Sequence, residues 1–428
     1  MIKIIKDVPQ RREEIFSVTM KAPDVSETVR EIIDRVRAGG DKALKELTEK
    51  FDKAQLQSLR VTEEEIEEAV GQVSVEFLKI LQKAAVNIRE YHTLQKRDGF
   101  CLKRANGVVV GQKIIPIERA GIYVPGGTAA YPSTVLMDSI PAVVAGCERV
   151  VMVTPPNADG KINPVILAAA KVAGVTEIYK VGGAQAIAAL AYGTESVPKV
   201  DKIVGPGNAF VAEAKRQVFG RVSIDMIAGP SEILVIADGK NRAKDVAADL
   251  LSQAEHDKMA SAVLVTDDEL FAQAVAWEIE RQIPLLDRNE IARTSIDANG
   301  KIIVTASIDE AIEIANGIAP EHLELCVDEP FGYLEKIKHA GSVFLGRYCP
   351  EAIGDYYAGA NHTLPTSGTA RFSSALSVDD FIKKTQYIYY DKASLAEVAR
   401  EVEYFANQEG LTGHGRSAVI RFEGDENE

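Results

Sequence analysis

The stretch GIYVPGG, residues 121–127, sets the pattern on which most of the chain is built. An apolar run typical of a buried strand leads into a turn at Pro125, Gly126 and Gly127, and a helix-like segment follows from Pro132. The same order of strand, turn and helix recurs downstream. Continuous apolar strands that alternate with helices favour parallel sheets covered by helices on both faces.

Strands of this kind fall into two groups, separated by Gly229-Pro230. The first group is 121–124, 149–154, 177–181 and 201–205, and the second is 232–238, 261–267, 300–305, 322–327 and 341–346. The sequence therefore predicts an α/β fold with two doubly wound, Rossmann-like parallel-sheet domains, at 115–230 and 231–350. The remaining residues, 351–428, predict a C-terminal helical extension.

Residues 1–114 predict an N-terminal helical layer that ends in a hairpin. Apolar residues recur at helical spacing between Ala22 and Gly39, where Gly39-Gly40 is expected to end the helix. Thr62 with Glu65 forms a capping box at the start of another helix. Two strand-like runs are joined by Asn106-Gly107, which is a strong hairpin signal.

Composition and charge limit the class of protein. A chain of 428 residues, with 46% hydrophobic and 26% charged residues, is typical of a globular protein with more than one core. The formal net charge of -14 argues against nucleic acid or an anionic membrane as a partner, and no apolar run is long enough to span a membrane. Because the first residues lack the apolar core of a signal peptide, we expect a cytoplasmic protein whose widely spaced cysteines are reduced.

Glycine-rich turns follow several strands of the first group, at 124–127, 182–183 and 205–207. Ligands of open parallel sheets bind beyond the carboxyl ends of the strands, where helix N-termini hold phosphates. Tyr123, Gln185 and Asn208 lie at or just after strand ends, where they could contact a nucleotide. None of these turns matches G-x-G-x-x-G, and glycines that only let a strand pass into a helix explain them equally well.

Polar side chains form two pairs in the second half of the chain. Gln253 and His256 lie three residues apart, which places them on one face of a helix at a spacing that suits two metal ligands. A solvated helix face is the simpler interpretation of this pair alone. Glu321 and His322 lie at the entrance of an apolar strand and can supply a carboxylate base and an imidazole proton shuttle, although an exposed Glu-His dipeptide usually has no function.

Two further motifs are rich in glycine and carry titratable groups. GDYYAGANHTLPT contains Asp355 and His362, and EGLTGHGR contains His414. Glycines beside a polar side chain are expected where backbone passes close to a ligand, and also in ordinary surface loops. The two other histidines, His92 and His339, are predicted to be surface residues.

These motifs together resemble the histidinol dehydrogenase family. The resemblance rests on SQAEH, IAPEHLEL, GDYYAGANHTLPT and EGLTGHGRSAVIR, with GPGN and IAGPSE, and extends over nearly the whole chain. It implies the NAD-dependent, four-electron oxidation of L-histidinol to L-histidine through bound L-histidinal, in the last steps of histidine biosynthesis. It also implies one zinc ion per subunit and a homodimer whose active sites draw residues from both subunits.

The resemblance assigns roles to individual positions. The implied zinc ligands are Gln253, His256, Asp355 and His414. The implied catalytic residues are Glu321 and His322, and the implied NAD contacts are Tyr123, Gln185 and Asn208. The implied substrate contacts are Ser231, Gln253, His256, His322, Asp355, Glu409 and His414, and His362 is expected to face the substrate.

The resemblance also implies a reaction sequence. Zinc would orient the substrate, and His322 would take the alcohol proton while hydride passes to NAD. Glu321 would then activate a water that attacks the aldehyde, before a second NAD accepts hydride. The segment 351–428, which carries His414, is the candidate for reaching across the dimer.

Two alternatives remain open at this stage. A related zinc dehydrogenase could oxidise a different alcohol with the same Glu-His pair, although Ser231, Glu409 and His414 favour histidinol. A two-domain α/β protein could also bind a small molecule without catalysis, because fold alone does not determine function.

Overall fold

A computed structural model describes residues 2–7, 11–16, 23–126, 130–175 and 177–423. The strands are β1 Lys3–Lys6, β2 Phe100–Lys103, β3 Val109–Pro116, β4 Arg119–Tyr123, β5 Arg149–Thr154, β6 Glu177–Lys180, β7 Lys202–Val204, β8 Ser223–Ile224, β9 Glu232–Ala237, β10 Ser261–Thr266, β11 Lys301–Val304, β12 His322–Cys326, β13 Ser342–Leu345 and β14 Ile382–Tyr389. The helices are α1 Arg12–Phe16, α2 Ser26–Asp52, α3 Glu63–Gln72, α4 Val75–Thr93, α5 Pro132–Ala145, α6 Pro164–Ala173, α7 Gly183–Tyr192, α8 Ala209–Val218, α9 Ala243–Ala254, α10 Glu269–Gln282, α11 Asn289–Asn299, α12 Ile308–Ile318, α13 Glu351–Tyr356, α14 Lys392–Gln408 and α15 Thr412–Val419.

The chain forms two compact units. The first comprises residues 1–95 and 117–381, and the second comprises 96–116 and 382–428. Both parallel sheets belong to the first unit. The four segments inferred from the sequence, with bounds at 114, 230 and 350, remain a prediction about domain organisation.

The first parallel sheet has the strand order β6-β5-β4-β7-β8. All its pairings are parallel, and the order reverses between β4 and β7, as in a doubly wound fold. One face packs its apolar side chains against α2, α7 and α8, and α5 lies against β4 and β5. The predicted doubly wound architecture is therefore confirmed for this half.

The second parallel sheet has the order β1-β11-β10-β9-β12-β13. Alternate residues of its strands pack against α9, α10 and α11 on one face and against α12 on the other. Its edge strand β1 comes from the N-terminus, where Lys3–Lys6 pairs in parallel with Lys301–Val304. From the sequence these residues were predicted to belong to the helical layer, because a four-residue strand with a lysine at each end lacks a clear apolar run.

The N-terminal helices match their sequence signals. Thr62 and Glu65 form the predicted capping box. The glycine pair at 39–40 ends the first helix as predicted, since Gly40 has the non-helical angles φ 50° and ψ -136°, and the second part of α2 then runs to Asp52. The positive φ of Gly40 favours glycine, and a Cβ there would also displace the carboxylate of Glu195, one of whose oxygens would lie 2.3 Å away.

The second unit is an antiparallel sheet with two helices. The predicted hairpin forms from β2 and β3, and β14 pairs with the other side of β3 along its whole length. Helices α14 and α15 pack against each other. In the part of the chain that the structure describes, no helix combines the length and apolarity needed to cross a membrane.

Candidate functional site

The candidate site lies where β9 and β12 run side by side in the second parallel sheet. His322, the first residue of β12, is paired with Ile233 of β9. Helix α9 follows β9 and ends at Ala254, so that Gln253 lies in its last turn. Helix α13, which carries Glu351 and Asp355, begins shortly after β13, the neighbour of β12.

The main chain of Glu232 orients both Glu321 and His322. Its N–H donates to Oε2 of Glu321 at 2.8 Å, and its carbonyl oxygen lies 2.8 Å from Nδ1 of His322. Because a carbonyl oxygen only accepts hydrogen bonds, Nδ1 carries the proton of the neutral ring. Nε2 of His322 is then left with a lone pair that can accept a proton or bind a metal ion.

That lone pair points toward two carboxylates. Nε2 of His322 lies 3.8 Å from Oε1 of Glu351 and 4.0 Å from Oδ1 of Asp355. Ligand atoms of these three residues all lie within 4.8 Å of one another, as a metal site requires. His362 borders the cluster, with Nδ1 at 3.7 Å from Oδ1 of Asp355.

Several buried polar atoms beside this cluster have no hydrogen-bond partner among the described residues. They are both amide atoms of Gln253, Nε2 of His322 and Oε1 of Glu351. A buried polar atom without a partner costs free energy, so such a group is usually satisfied by something the protein chain does not supply. An imidazole nitrogen, carboxylate oxygens and an amide oxygen form a donor set that fits a divalent cation such as zinc.

Burial dominates the electrostatics of the site. It raises the pKa of Glu321 well above its usual value, with a further increase from the charge of Glu232 and the other nearby carboxylates. Burial, together with Glu351, raises the pKa of Asp355 to about 9. Burial lowers the pKa of His322, and burial and the charge of His322 lower the pKa of His362 to about 4. A cation bound among these groups would reverse the preference of Asp355 for its neutral form.

Contacts from Glu324 and Ser252 hold the first residue of α13, Glu351, in place. Pro350 precedes the helix without a capping side chain, and Oε1 of Glu324 accepts the N–H of Glu351 at 2.7 Å instead. Glu324 is fully buried on β12, two residues after His322. Ser252 of α9 donates to Oε2 of Glu351 at 3.2 Å, so Glu351 is held through its main chain by Glu324 and through its side chain by Ser252.

The structure brings together most of the residues predicted for this site. Glu321, His322 and Asp355 meet in the cluster, and Gln253 and His256 lie close enough to affect the pKa of Glu351. The interpretation of the 253/256 pair as a solvated helix face is wrong for Gln253, which is fully buried. His256 is exposed and follows the end of α9.

Other predicted residues lie elsewhere. Ser231 is half-buried and directly precedes β9. Glu409 and His414 belong to the second unit, where both are exposed; Glu409 follows α14 and His414 lies in α15. Their roles remain predictions. His92 is not a surface residue: it is fully buried, with Nδ1 2.7 Å from the amide oxygen of Gln95.

Neither Glu351 nor the main-chain role of Glu232 was predicted from the sequence. Glu351 precedes Asp355 by four residues, and this spacing on α13 places both carboxylates on one face. The four-residue spacing could therefore have indicated Glu351 from the sequence. The contacts of Glu232 could not be predicted in this way, because main-chain groups are the same in almost every residue type.

A second candidate site lies at the carboxyl ends of the first parallel sheet. A cavity of about 550 Å³ is lined there by Tyr123, Gln185 and Asn208, the three residues predicted to contact a nucleotide. The hydroxyl of Tyr123 accepts the N–H of Gly183 at 3.1 Å, and burial raises its pKa to about 12. Asn208 also caps α8 through two backbone N–H groups, so it has a structural role whatever binds there.

A buried ion pair fixes the glycine turn beside this cavity. Lys215 pairs with Asp225, and both side chains are almost fully buried. Asp225 accepts the N–H of Gly205 at 2.8 Å, and Lys215 donates to the carbonyl oxygen of Gly205 at 3.0 Å. The turn that leads to Asn208 is thereby held rigidly against the end of β7.

Comparisons with known proteins match the chain to one family over nearly its whole length. The family model described as histidinol dehydrogenase matches residues 17–422. The histidinol dehydrogenases of Bacillus anthracis and Clostridium acetobutylicum are 57% and 53% identical, over 93% and 99% of this chain and 92% and 99% of their own lengths. A crystal structure of histidinol dehydrogenase from Elizabethkingia anophelis superposes with a TM-score of 0.94 at 41% identity, covering 100% of this chain and 99% of that one.

Proposed function

Because the chain belongs to the histidinol dehydrogenase family, we propose that this oxidoreductase catalyses the zinc- and NAD-dependent, four-electron oxidation of L-histidinol to L-histidine, with L-histidinal as the bound intermediate. The observation that carries the proposal is the buried cluster of His322, Glu351 and Asp355, beside which Nε2 of His322, Oε1 of Glu351 and the amide of Gln253 have no hydrogen-bond partner among the described residues. The chain would thus act in the last steps of histidine biosynthesis.

The proposed zinc ligands are Gln253, His256, Asp355 and His414. The unpartnered amide oxygen of Gln253 and the carboxylate of Asp355 support the first and third of these. A bound zinc ion would act as a template that orients the substrate, rather than as a source of hydroxide. Ser231, Glu409 and His362 are proposed to contact the substrate, together with these ligands and His322.

His322 is proposed to handle the alcohol proton. Its Nδ1–H is fixed on the carbonyl oxygen of Glu232, which leaves the lone pair of Nε2 free to accept the proton as the hydride departs to NAD. Burial favours the neutral ring that this step requires. The proton must leave His322 before the second oxidation, when the same nitrogen accepts a proton from the hydrated aldehyde.

Glu321 is proposed to activate the water that hydrates the aldehyde. One of its oxygens is fixed by the N–H of Glu232, and burial makes its carboxylate a stronger base than an exposed glutamate. The carboxylate takes a proton from water as the oxygen attacks the aldehyde carbon. A second NAD would supply the hydride acceptor for the hydrate, whose oxidation gives the carboxylate of histidine.

The dinucleotide is proposed to occupy the cavity at Tyr123, Gln185 and Asn208. This cavity lies beyond the carboxyl ends of a doubly wound sheet, where dinucleotides bind. We also propose a cytoplasmic homodimer with shared active sites and without nucleic-acid or membrane partners. Exposed apolar side chains of the second unit, including Ile388, Tyr404 and Phe405, support burial against another copy of the chain.

Counting NADH formed per molecule of L-histidinol tests the proposal most directly. We expect two NADH at completion, a loss of turnover after chelation, and recovery on addition of zinc. One NADH per histidinol would show that the reaction stops at the aldehyde and would contradict the role of Glu321. No NADH with histidinol, but turnover of another alcohol, would identify a related dehydrogenase of different specificity. Binding of ligands without any turnover would indicate a non-catalytic protein.

Replacement of Glu351 by glutamine is expected to weaken zinc binding about 10- to 100-fold, as is usual when a group next to the ligands is altered. The amide keeps the shape but removes a negative charge beside His322 and Asp355. Zinc affinity of the metal-free protein, measured by competition with a chromophoric chelator, checks this. Glu335→Gln, at an exposed position, is the matched control and should not change the affinity. Equal affinities in both variants would contradict the prediction.

A further inference from the structure

The cavity at the end of the first sheet contains an unexplained negative charge. Of the described residues that line it, Asp52 alone carries a charge, and none is lysine or arginine. Asp52 is half-buried, and its Oδ2 has no hydrogen-bond partner in the part of the chain that the structure describes. The carboxylate is therefore partly desolvated without compensation from the chain.

The position of Asp52 is also unfavourable for its own helix. It is the last residue of α2, where the partial negative charge of the helix dipole disfavours a carboxylate. The next residue, Lys53, adopts a left-handed conformation with φ 61°. An aspartate at this position does not stabilise the helix. Binding of a ligand in the cavity would explain why an aspartate is present.

The surrounding strands place Asp52 on one side of the sheet. The segment that follows it runs along β6, where Leu59 accepts the N–H of Lys180 at 2.7 Å and Val61 donates to Ile178 at 2.9 Å. Residue 52 therefore lies on the side of β5 and β6, away from the reversal of strand order between β4 and β7. In doubly wound dinucleotide sites, an acidic side chain on this side binds the adenosine ribose.

The loop after β5 places no acid against the cavity. Its first residues beside the cavity run from Pro155 to Ala158, whereas the usual ribose-binding aspartate follows the second strand. Asp52 brings a carboxylate to the same region from the N-terminal helical layer. Burial raises its pKa to about 6, so the group is mostly ionised at neutral pH and can only accept hydrogen bonds.

We propose that Asp52 selects NAD over NADP by accepting hydrogen bonds from the ribose hydroxyls of the adenosine half. A 2′-phosphate would replace one donor hydroxyl with two negative charges next to the carboxylate, and no cation lines the described part of the cavity to offset them. The inference rests on the proposed binding of a dinucleotide in this cavity and adds the residue that determines which dinucleotide is accepted.

Asp52→Asn is the test variant, because the amide keeps the size of the side chain but removes the charge. Glu49→Gln is the matched control, since this exposed carboxylate lies on the same helix and its bond to Gln55 can persist as an amide pair. Steady-state rates with NAD and NADP are measured for the zinc-loaded enzyme. Binding of NADH, NADPH, 5′-AMP and adenosine 2′,5′-bisphosphate is titrated without histidinol, and thermal unfolding verifies that each variant is folded.

A charge-assisted hydrogen bond corresponds to roughly 10- to 100-fold in affinity. We expect Asp52→Asn to raise the KM for NAD by about that factor and to lower the preference for NAD over NADP at least about tenfold, with little change in kcat. The preference for 5′-AMP over the bisphosphate should fall in parallel, and Glu49→Gln should match the unaltered enzyme.

Two failures can be told apart. If the unaltered protein neither reduces NAD nor binds NADH, the proposed function itself is wrong. If it does both, and folded Asp52→Asn keeps the same preference for NAD and for 5′-AMP, the role of Asp52 is overturned while the proposed function stands. A higher KM for NAD with an unchanged preference would likewise overturn selection by Asp52.

Discussion

Replacement of His322 by asparagine is expected to lower kcat for histidinol oxidation about 10²- to 10⁴-fold, the usual contribution of a positioned acid–base group. Nε2 of His322 has a lone pair without a hydrogen-bond partner among the described residues, and the carbonyl oxygen of Glu232 fixes the tautomer of the ring. Asparagine can still donate to that carbonyl oxygen but has no group that accepts a proton near neutral pH. Steady-state rates of NADH formation, with zinc content measured in parallel, check the prediction.

The pH dependence gives a second measurement on the same residue. Burial lowers the pKa of His322 in the folded protein, so the ring is neutral at pH 7 and becomes protonated only in more acidic solution. Activity that depends on the neutral ring should therefore fall as the pH drops through that lowered pKa, and the acidic limb should disappear in His322→Asn. His339→Asn, at a histidine outside the cluster, should leave rate and profile unchanged. A variant at position 322 with normal kcat would exclude His322 as the proton acceptor.

Replacement of Glu321 by glutamine is expected to separate the two oxidations. The amide oxygen can still accept the N–H of Glu232, which bonds to Glu321 at 2.8 Å in the structure. The amide cannot take a proton from water, so turnover of added L-histidinal should fall about 10²- to 10⁴-fold. With L-histidinol, the variant should form close to one NADH per active site rapidly and then stall.

Rapid-mixing measurements of NADH formation from histidinol and from histidinal distinguish these steps. Glu335→Gln, at an exposed position, is the control and should show full rates with both substrates. Oxidation of histidinal at the normal rate by Glu321→Gln would assign the water-activating role to another residue. Equal losses in both steps would instead indicate that Glu321 shapes the site as a whole.

The sheets were predictable because their strands are apolar and buried on both faces. The runs at 149–154 and 232–238, for example, correspond to β5 and β9 within one residue. Strands with a different pattern were missed: β1 has lysines at both ends, and β14, with four residues exposed in succession, lacks a continuous apolar run. These strands are defined by their partners rather than by their own composition.

The candidate site was predictable in part for a similar reason. The family motifs identify Glu321, His322 and Asp355, which the structure brings together. Burial of Gln253 depends on how α9 packs, and a polar pair at helical spacing carries no information about that. The contribution of Glu351 depends on the packing of α13 against β12. This contact joins distant parts of the chain and could not be predicted from the local sequence.

The contacts made by the main chain of Glu232 have an evolutionary consequence. The N–H and the carbonyl oxygen that orient Glu321 and His322 belong to the peptide backbone, so every residue type except proline presents them unchanged. Side-chain mutations at position 232 can alter the local charge without disturbing the alignment of the base and the proton acceptor. Substitutions that accumulate at this position should therefore leave the geometry of the proposed catalytic pair unchanged, because that geometry depends on how the strands pair.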